Sequence, residues 1–264
     1  MLELYTHPMS PCAQKVRLVL AEKAVDYTKR HVNLPEKENL RPEYLKLNPA
    51  GVVPTLVHDG RPIVESSIIC EYLEDCFPEP ALRAADPYEI ARMRLWMKHV
   101  DNKLHPSCGA LQWPLVMRPK LMELPEAERE AILDRVPEKQ RRERQKRLVK
   151  MGLDAPDVAD AVGVYAQTIV DMEDVLRDRP WMSGDMFSIT DCCLAPYFQT
   201  LIQFGWTALF EDGHPRVSDW VARVQARPSY EVAIAGDLSD EVRRNLAKLG
   251  APGWARIEAH LRAA

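Results

Sequence analysis

The sequence lacks the features typical of nucleic-acid-binding, membrane-spanning and secreted proteins. Among 264 residues, 35 are Lys or Arg and 39 are Asp or Glu, so the net charge of −4 gives no positive field for a nucleic-acid backbone. The one basic run, at 139–150, contains a glutamate and no aromatic residue, which favours a solvated helix face. No apolar run approaches the roughly 20 residues that a transmembrane helix needs, and no secretion signal is visible. We therefore expect a cytoplasmic protein without nucleic-acid or membrane partners.

Cysteines and glycine-rich motifs are also scarce, and their arrangement argues against several chemistries. The six cysteines lack the paired spacing of metal sites, so we expect reduced thiols and no metal. Cys192 and Cys193 lie in a strongly apolar stretch, which favours buried side chains over a redox role. No Gly-x-Gly-x-x-Gly, phosphate-loop or His-Glu-x-x-His pattern is present, which removes the usual support for nucleotide binding and zinc-protease chemistry.

The order of predicted elements sets residues 1–77 apart from the rest. Asp59-Gly60 between two apolar stretches predicts a tight hairpin, so the last two strands should be antiparallel. The predicted elements are strands at 2–5 and 26–32, helices at 12–23, near 42–47 and at 65–76, and further strands at 53–57 and 61–64. This β-α-β-α-β-β-α order predicts an α/β domain with a mixed four-stranded sheet.

After residue 77 the pattern is helical throughout. Prolines punctuate 78–86, which we predict to be a linker. Apolar spacing predicts helices at 88–104, 157–177 and 188–204. Ser188 and Asp191 form the ends of a capping box at the last of these helices. We therefore expect an all-α domain at 87–264.

Ser10 and the pair Glu65-Ser66 lie at positions that suit anions. Each is predicted at the N-terminus of a helix, where unpaired backbone N–H groups and the helix dipole favour negative charge. Ser10 adds a hydroxyl, whereas Glu65-Ser66 adds a carboxylate and a hydroxyl that suit the ammonium and carboxylate of an α-amino acid. Lys37 lies on a polar loop and is placed to meet a second carboxylate.

The Val53-Pro54 bond adds a stretch of backbone for an extended ligand. An X-Pro bond adopts the cis form at a cost of about 0.5–1 kcal/mol, and a cis bond here would present the N–H and C=O of Val53. An extended peptide with charged ends and a central thiol would satisfy all of these features. Glutathione is such a molecule.

Three stretches of the N-terminal half carry a family resemblance. They are SPCAQKVR at 10–17, NPAGVVPTL at 48–56 and ESSIICEYL at 65–73. Together with the capping box they resemble the glutathione transferase superfamily, in the same order and over most of the chain. The resemblance implies a thioredoxin-like domain at 1–77, an all-helical domain after the linker, and glutathione as cosubstrate. It also implies a homodimer with helices near 66–77 and 86–104 at the interface.

The resemblance further implies a role for each site residue. Ser10 matches the serine that hydrogen-bonds the glutathione sulfur. Val53 matches the backbone clamp before the cis-proline, here Pro54, while Glu65 and Ser66 match the pair that holds the γ-glutamyl end. Lowering the pKa of a thiol by roughly two units corresponds to about 2.7 kcal/mol of differential stabilisation, which would give a nucleophilic thiolate near neutral pH.

Cys12 leaves a second chemistry open. A cysteine two places after the serine also occurs in the zeta-like class of this superfamily, whereas the omega-like class has cysteine at the serine's own position. A Cys12-dependent thiol reductase or isomerase is therefore one alternative to a serine-type transferase. A non-catalytic binding protein on the same scaffold is another, although the retention of Ser10, Pro54, Glu65 and Ser66 argues against it.

The helical half gives a hint of subclass. Residues 68–79, 85–87 and 92–101 are similar to bacterial β-etherases, which use glutathione to cleave β-aryl ethers of lignin-derived aromatics. The similarity implies an extended helical domain, here through an insertion near 105–157, and an aromatic electrophile that loses a phenolate. Candidates to line the acceptor site are Met9, His105, Cys108, Trp113, Tyr197 and Trp206.

Overall fold

The computed structural model describes residues 1–263, which form four strands and fifteen α-helices. The strands are β1 Leu2–Thr6, β2 Thr28–His31, β3 Thr55–His58 and β4 Arg61–Ile63. The helices are α1 Pro11–Glu22, α2 Pro42–Leu45, α3 Ser66–Cys76, α4 Pro87–His99, α5 His105–Val116, α6 Arg118–Met122, α7 Glu126–Asp134, α8 Lys139–Met151, α9 Pro156–Val175, α10 Ile189–Phe204, α11 Ala208–Glu211, α12 Pro215–Gln225, α13 Pro228–Ala233, α14 Asp240–Gly250 and α15 Trp254–Ala263. Among these described helices, none is both long enough and apolar enough to cross a bilayer.

The four strands form one mixed sheet in the order β2-β1-β3-β4. β1 pairs with β2 in parallel, and the other two pairings are antiparallel. Along β1, Leu2, Leu4 and Thr6 are buried while the residues between them are half-buried, which is the period of two that a strand imposes. Asp59 and Gly60 both have positive φ in the turn that joins β3 to β4, as a tight hairpin requires. The predicted mixed sheet and hairpin are therefore confirmed.

Helix α1 is buried along most of its length. Val16, Leu18 and Val19 have no exposed surface, and each contributes about 1.5–3 kcal/mol by its removal from water. The helix contacts both α3 and α13. Pro11 occupies the first turn, where its missing N–H costs no hydrogen bond.

Contacts divide the described chain into two compact units. The first unit contains Met1–Val100, Val175–Pro196 and Asp219–Leu238. The second contains Asp101–Asp174, Tyr197–Ser218 and the described chain from Ser239 onward. The first unit thus includes all of the predicted N-terminal domain together with two later segments, one of which contains α13, the helix that contacts α1. The predicted domain ranges of 1–77, 78–86 and 87–264 stay a prediction.

The predicted single helix at 88–104 is interrupted in the structure. Helix α4 ends at His99, a wide π-helical turn covers Val100–Leu104, and α5 then begins at His105. Pro106 lies in the first turn of α5 and has no N–H to donate to the preceding turn, which gives the local break a cause. Apolar spacing continued through the region and therefore could not reveal the change of hydrogen-bond pattern.

The capping box at α10 is present and fully buried. Asp191 accepts hydrogen bonds from the Ser188 N–H (3.0 Å) and the Ser188 hydroxyl (2.7 Å). The Met182 N–H (3.1 Å) and the Trp220 indole N–H (2.8 Å) donate to its other oxygen. Burial raises the pKa of Asp191 even though all four donors favour its charged form. This carboxylate therefore joins two segments of the first unit, Val175–Pro196 and Asp219–Leu238.

Candidate functional site

The sheet brings four separate loops of the first unit to one edge. β1 ends where Thr6 pairs with His31 of β2, so the loops after both strands leave from this edge. β3 runs the other way and begins here, because Tyr5 pairs with Thr55. β4 is antiparallel to β3 and ends here, since Ile63 pairs with Leu56. The loop before α1, the loop after β2, the approach to β3 and the start of α3 consequently share this edge.

These four segments carry the residues predicted to bind glutathione. Ser10 lies in the loop after β1, Lys37 follows β2, Val53 and Pro54 precede β3, and Glu65 and Ser66 follow β4. The strand register thus places at one sheet edge residues that are up to 56 positions apart in the sequence, from Ser10 to Ser66.

Ser10 is the N-cap of α1 and is partly buried. Its Oγ accepts a hydrogen bond from the Ala13 N–H at 3.3 Å, which uses a lone pair of the oxygen and leaves the hydroxyl proton available to a ligand. Pro11 and Cys12 follow as the first residues of the helix, so the positive end of the helix dipole lies beside the hydroxyl. This combination suits an anionic acceptor such as a thiolate.

The segment before β3 has the predicted backbone form. The Val53-Pro54 peptide bond is cis. Along the described chain, neither the N–H nor the C=O of Val53 takes part in a main-chain hydrogen bond. The neighbouring Val52 carbonyl is instead occupied by the Tyr44 hydroxyl and the Asn48 amide. Val53 is therefore the residue whose backbone groups could pair with an extended peptide.

Glu65 and Ser66 begin α3 in an unusual conformation. Glu65 is exposed and has a φ of +67°, a region that non-glycine residues seldom occupy and that recurs at ligand sites. Ser66 is 7% exposed, and its Oγ accepts a hydrogen bond at 3.4 Å from the fully buried ammonium of Lys15. A positive charge thus lies immediately behind the predicted γ-glutamyl site, and the sequence-based reasoning did not anticipate it.

Lys37 and Cys12 are both partly exposed. Lys37 adopts left-handed backbone geometry with a φ of +58°, and its N–H donates to the Leu34 carbonyl at 3.0 Å. Cys12 lies in the first turn of α1, where the helix dipole favours a thiolate. The structure therefore leaves both residues accessible to a ligand at this edge.

Arg17 organises the loop that precedes Ser10, and the sequence-based reasoning assigned it no role. Its guanidinium is 1% exposed and donates to the Thr6 hydroxyl (2.7 Å) and the His7 carbonyl (3.2 Å). It also donates to the Ala233 carbonyl at 2.8 Å and forms an ion pair with Asp237 at 3.2 Å. Burial lowers the pKa of Arg17, and the Asp237 carboxylate opposes this shift. We call these five residues the Arg17 cluster.

Half of the acceptor-site candidates prove to be core residues. Cys108, Tyr197 and Trp206 are at most 1% exposed, so they present no atom to a ligand in this conformation. Cys108 contacts the Thr200 hydroxyl at 3.4 Å, and the Trp206 indole donates to the Gly250 carbonyl at 2.9 Å. Packing, rather than pocket lining, accounts for these three residues, because aromatic and thiol side chains are equally suited to a core.

The other three candidates keep accessible surface. His105 is exposed, and its ring lies 6.2 Å from that of Tyr197 in an edge-to-face arrangement. Trp113 is partly buried against a small apolar cluster that includes Leu121 and Val149. Met9 is partly buried in the Ser10 loop. These three remain candidates for an acceptor site. Over residues 1–263 no group of three or more His, Cys, Asp or Glu is placed to hold a metal ion.

Comparison with known proteins identifies related sequences over most of the chain. Residues 4–81 match the model of the glutathione S-transferase N-terminal domain, and residues 139–223 match that of the C-terminal domain. Maleylacetoacetate isomerase of Pseudomonas aeruginosa is 30% identical over 243 residues, which cover 90% of this chain and 98% of the relative. Protein LigF of Sphingobium sp. strain SYK-6 is 28% identical over 236 residues, which cover 86% of this chain and 91% of LigF.

Solved structures agree with the sequence matches. The crystal structure of beta-etherase LigF from Sphingobium sp. strain SYK-6 superposes with a TM-score of 0.79 at 27% identity, covering 88% of this chain and 98% of that one. A theta class glutathione S-transferase from Xanthomonas axonopodis pv. citri, with glutathione bound, gives a TM-score of 0.64 at 25% identity. In that case 88% of this chain and 96% of the other are covered. Both structures match most of this chain, and the second of them has glutathione bound.

Proposed function

The chain belongs to the glutathione S-transferase family, whose cosubstrate is glutathione, and from that membership we propose that it transfers glutathione to an aromatic electrophile through a thiolate held by Ser10. The observation that carries the proposal is the convergence of Ser10, Val53 and Glu65-Ser66 at one sheet edge. Each of them offers the type of group that its part of the tripeptide needs.

Binding would use all four of the segments that meet at this edge. The backbone groups of Val53 would pair with the central residue of glutathione, and Glu65 and Ser66 would hold the γ-glutamyl ammonium and carboxylate. Lys37 would meet the glycyl carboxylate. The cosubstrate would thereby be held with its sulfur at Ser10, whose free hydroxyl proton donates to it. The donated hydrogen bond and the helix dipole both favour the thiolate over the thiol.

The chemical step is a displacement at carbon. The bound thiol loses its proton to solvent, the sulfur forms a bond to an electrophilic carbon, and the bond from that carbon to its leaving group breaks, with the leaving group keeping the electron pair. We propose a β-aryl ether as the electrophile, so that the carbon–oxygen bond breaks and a phenolate leaves. Similarity to LigF, a beta-etherase, over 91% of its length supports this choice and with it a role in the breakdown of lignin-derived aromatics. For the acceptor side we propose Met9 from the first unit and, independently, His105 and Trp113 from the second.

A second candidate function is an isomerase that depends on Cys12. Two observations favour it: the 30% identity to a maleylacetoacetate isomerase and the placement of the partly exposed Cys12 in the first turn of α1. In this case glutathione would add to the substrate and leave again unchanged, so no phenol would be released.

The test measures phenol release from an α-keto β-aryl ether by the purified protein with and without glutathione. Release only with glutathione supports the etherase, and activity that is lost in Ser10→Ala but retained in Cys12→Ser supports the serine mechanism. The opposite pattern, together with isomerisation of maleylacetoacetate, supports the second candidate. A protein that binds glutathione but turns over no electrophile would be a non-catalytic binding protein, and both enzyme proposals would fail.

A further inference from the structure

His7 lies on the loop between β1 and α1 and makes two hydrogen bonds within that loop. Its ring Nδ1 accepts from the Met9 N–H at 3.2 Å. Its carbonyl accepts from the Ser10 N–H at 3.1 Å and from the Arg17 guanidinium at 3.2 Å. The ring and the main-chain carbonyl of His7 therefore both hold the backbone immediately before the predicted catalytic hydroxyl.

The Met9 contact requires a particular form of the imidazole. A backbone N–H can only donate, so Nδ1 must carry a lone pair, and a neutral ring then has its proton on Nε2. The arrangement is the same as in an Asx turn, in which a side-chain oxygen accepts from the N–H two residues further on. A proton on Nδ1 would remove the acceptor and place two donors against each other.

The groups around His7 oppose its protonation. The imidazole of His31, on β2, lies with its ring centre 5.4 Å away, and the Arg17 guanidinium approaches from α1. The carboxylate of Asp237, which follows α13, is paired with Arg17. Burial lowers the pKa of His7 to about 4, and the positive charges of His31 and Arg17 act in the same direction.

We propose that His7 is a positioning residue for Ser10: its neutral ring holds the loop in the geometry that presents the hydroxyl, and protonation of the ring releases the loop. The inference rests on the proposed role of Ser10 in holding the glutathione thiolate. His7 would touch neither the sulfur nor the acceptor, and it would act only through the backbone of Met9 and Ser10.

Two substitutions distinguish the effect of the hydrogen-bond acceptor on the His7 side chain from the effect of its volume. His7→Asn keeps an acceptor for the Met9 N–H, whereas His7→Leu has similar apolar bulk and no acceptor. We expect His7→Leu to lower kcat/KM about 10- to 100-fold and to raise the pKa of the bound glutathione thiol, because small displacements of a positioned group are costly. His7→Asn should stay within about threefold of the wild type, since an Asx turn restores the loop. Equal loss in the two variants, or no loss in His7→Leu, would overturn the proposal.

The pH dependence gives a readout that a purely structural role would not move. In the wild type, protonation of the glutathione thiol should lower activity below neutral pH, and a second acid limb should follow with a midpoint near the His7 pKa of about 4 as the loop is released. Replacing the facing ring by His31→Leu should shift this acid limb to higher pH, and His7→Asn should abolish it. A second acid limb that is the same in all three proteins would contradict the proposal.

Nuclear magnetic resonance tests the loop without any reaction. The Met9 amide signal should shift together with the His7 ring signals during acid titration of the wild type. In His7→Leu the Met9 amide should exchange with solvent faster than in His7→Asn. If the wild-type protein turned over no electrophile, the proposed function would be wrong, but the Met9 amide titration would still test whether His7 positions the loop. A Met9 amide that ignores the His7 titration would sink the positioning role alone.

Discussion

Ser10 has two hydrogen-bonding capacities, and the fold uses only one of them. Its oxygen caps α1 by accepting from the Ala13 N–H, while its hydroxyl proton is left for a ligand. The capping role and the proposed chemical role thus belong to one side chain, and a single substitution to alanine removes both. Separate measurements are needed to tell the two losses apart.

A pair of substitutions at Ser10 separates capping from chemistry. Ser10→Ala should lower the free energy of unfolding by about 1 kcal/mol, whereas Ser10→Gly should lower it by only a few tenths, because glycine is tolerated at an N-cap. Both should reduce glutathione turnover equally, by at least tenfold, because both lack the hydroxyl proton. Urea unfolding and steady-state kinetics check the two effects. Turnover that follows stability, with glycine more active than alanine, would show that the cap rather than the hydroxyl matters.

The cysteines divide sharply by accessibility. Cys76 is exposed and Cys12 is partly exposed, whereas Cys70, Cys108, Cys192 and Cys193 are buried. Burial also raises the pKa of Cys192, which further lowers its reactivity. A chromogenic disulfide reagent should therefore label two thiols rapidly in the native protein and the remaining four only on unfolding. Cys76→Ser and Cys12→Ser should each remove one rapid equivalent, and a third rapid thiol in the wild type would contradict the described packing.

At the scale of elements, the sequence predicted most reliably the features that depend only on neighbouring residues, namely turns and helix caps. Asp59-Gly60 specified a hairpin and Ser188 to Asp191 specified a helix start, because turn and cap chemistry are local. The π-helical turn at Val100–Leu104 escaped prediction, since apolar spacing alone does not report hydrogen-bond pattern. The hydrogen bond from the Met9 N–H to the His7 ring escaped prediction as well, because a ring nitrogen that replaces an Asx oxygen has no recognised sequence signature.

The capping box of α10 should be one of the most sensitive points for stability. Asp191→Ala would leave four buried donors without their acceptor, and we expect a loss of about 3 kcal/mol or more in the free energy of unfolding. Asp185→Ala is the matched control, because Asp185 is exposed in the preceding turn and should change stability by less than about 0.5 kcal/mol. Urea denaturation of both variants checks the expectation, and similar losses would refute it.

The β1–α1 loop should make the protein sensitive to moderate acid. The pKa of His7 falls from its ordinary value of 6.5 to about 4 on folding, so between these values the unfolded chain binds more protons than the folded one. Stability therefore decreases as pH falls through this range, by about 2 kcal/mol once partial exposure is allowed for. Thermal unfolding at a series of pH values should show this loss in the wild type and a shallower one in His7→Asn. Parallel curves for the two proteins would remove His7 as the cause.

At the scale of the whole molecule, the candidate glutathione site was more predictable than the acceptor site. Ser10, Val53 and Glu65 belong to short motifs, and the sheet register explains why distant motifs meet. Tyr197 and Trp206 are aromatic residues of the kind that line pockets, but they lie in the core. The sequence could not show this, because spacing does not tell which aromatic side chains stay accessible. Lys15 was missed for a similar reason, since a lysine within an apolar helical face usually extends to solvent.

The surface of α3 and α4 carries large apolar side chains that favour the homodimer implied by the family resemblance. Ile68 is 57% exposed, and Tyr88 and Leu95 are each 67% exposed. Leu95 also lines a groove of about 510 Å³ along α4. The double variant Ile68→Glu with Leu95→Glu should halve the mass measured by light scattering, because charges would be buried in the interface. Val232→Glu is the control at another exposed apolar residue, and a wild-type protein that is monomeric at assay concentration would contradict the dimer.

The Arg17 cluster also constrains the order of events during synthesis on the ribosome. Arg17 and its acceptor Ala233 are 216 residues apart, so the guanidinium leaves the ribosome long before the carbonyl that it binds. Contacts between such distant residues form slowly, because a long loop must close first. The surface of α1 therefore stays incompletely buried until most of the chain has been synthesised. We therefore expect α1 to be a surface that a chaperone can shield during translation, until Ala233 has been synthesised.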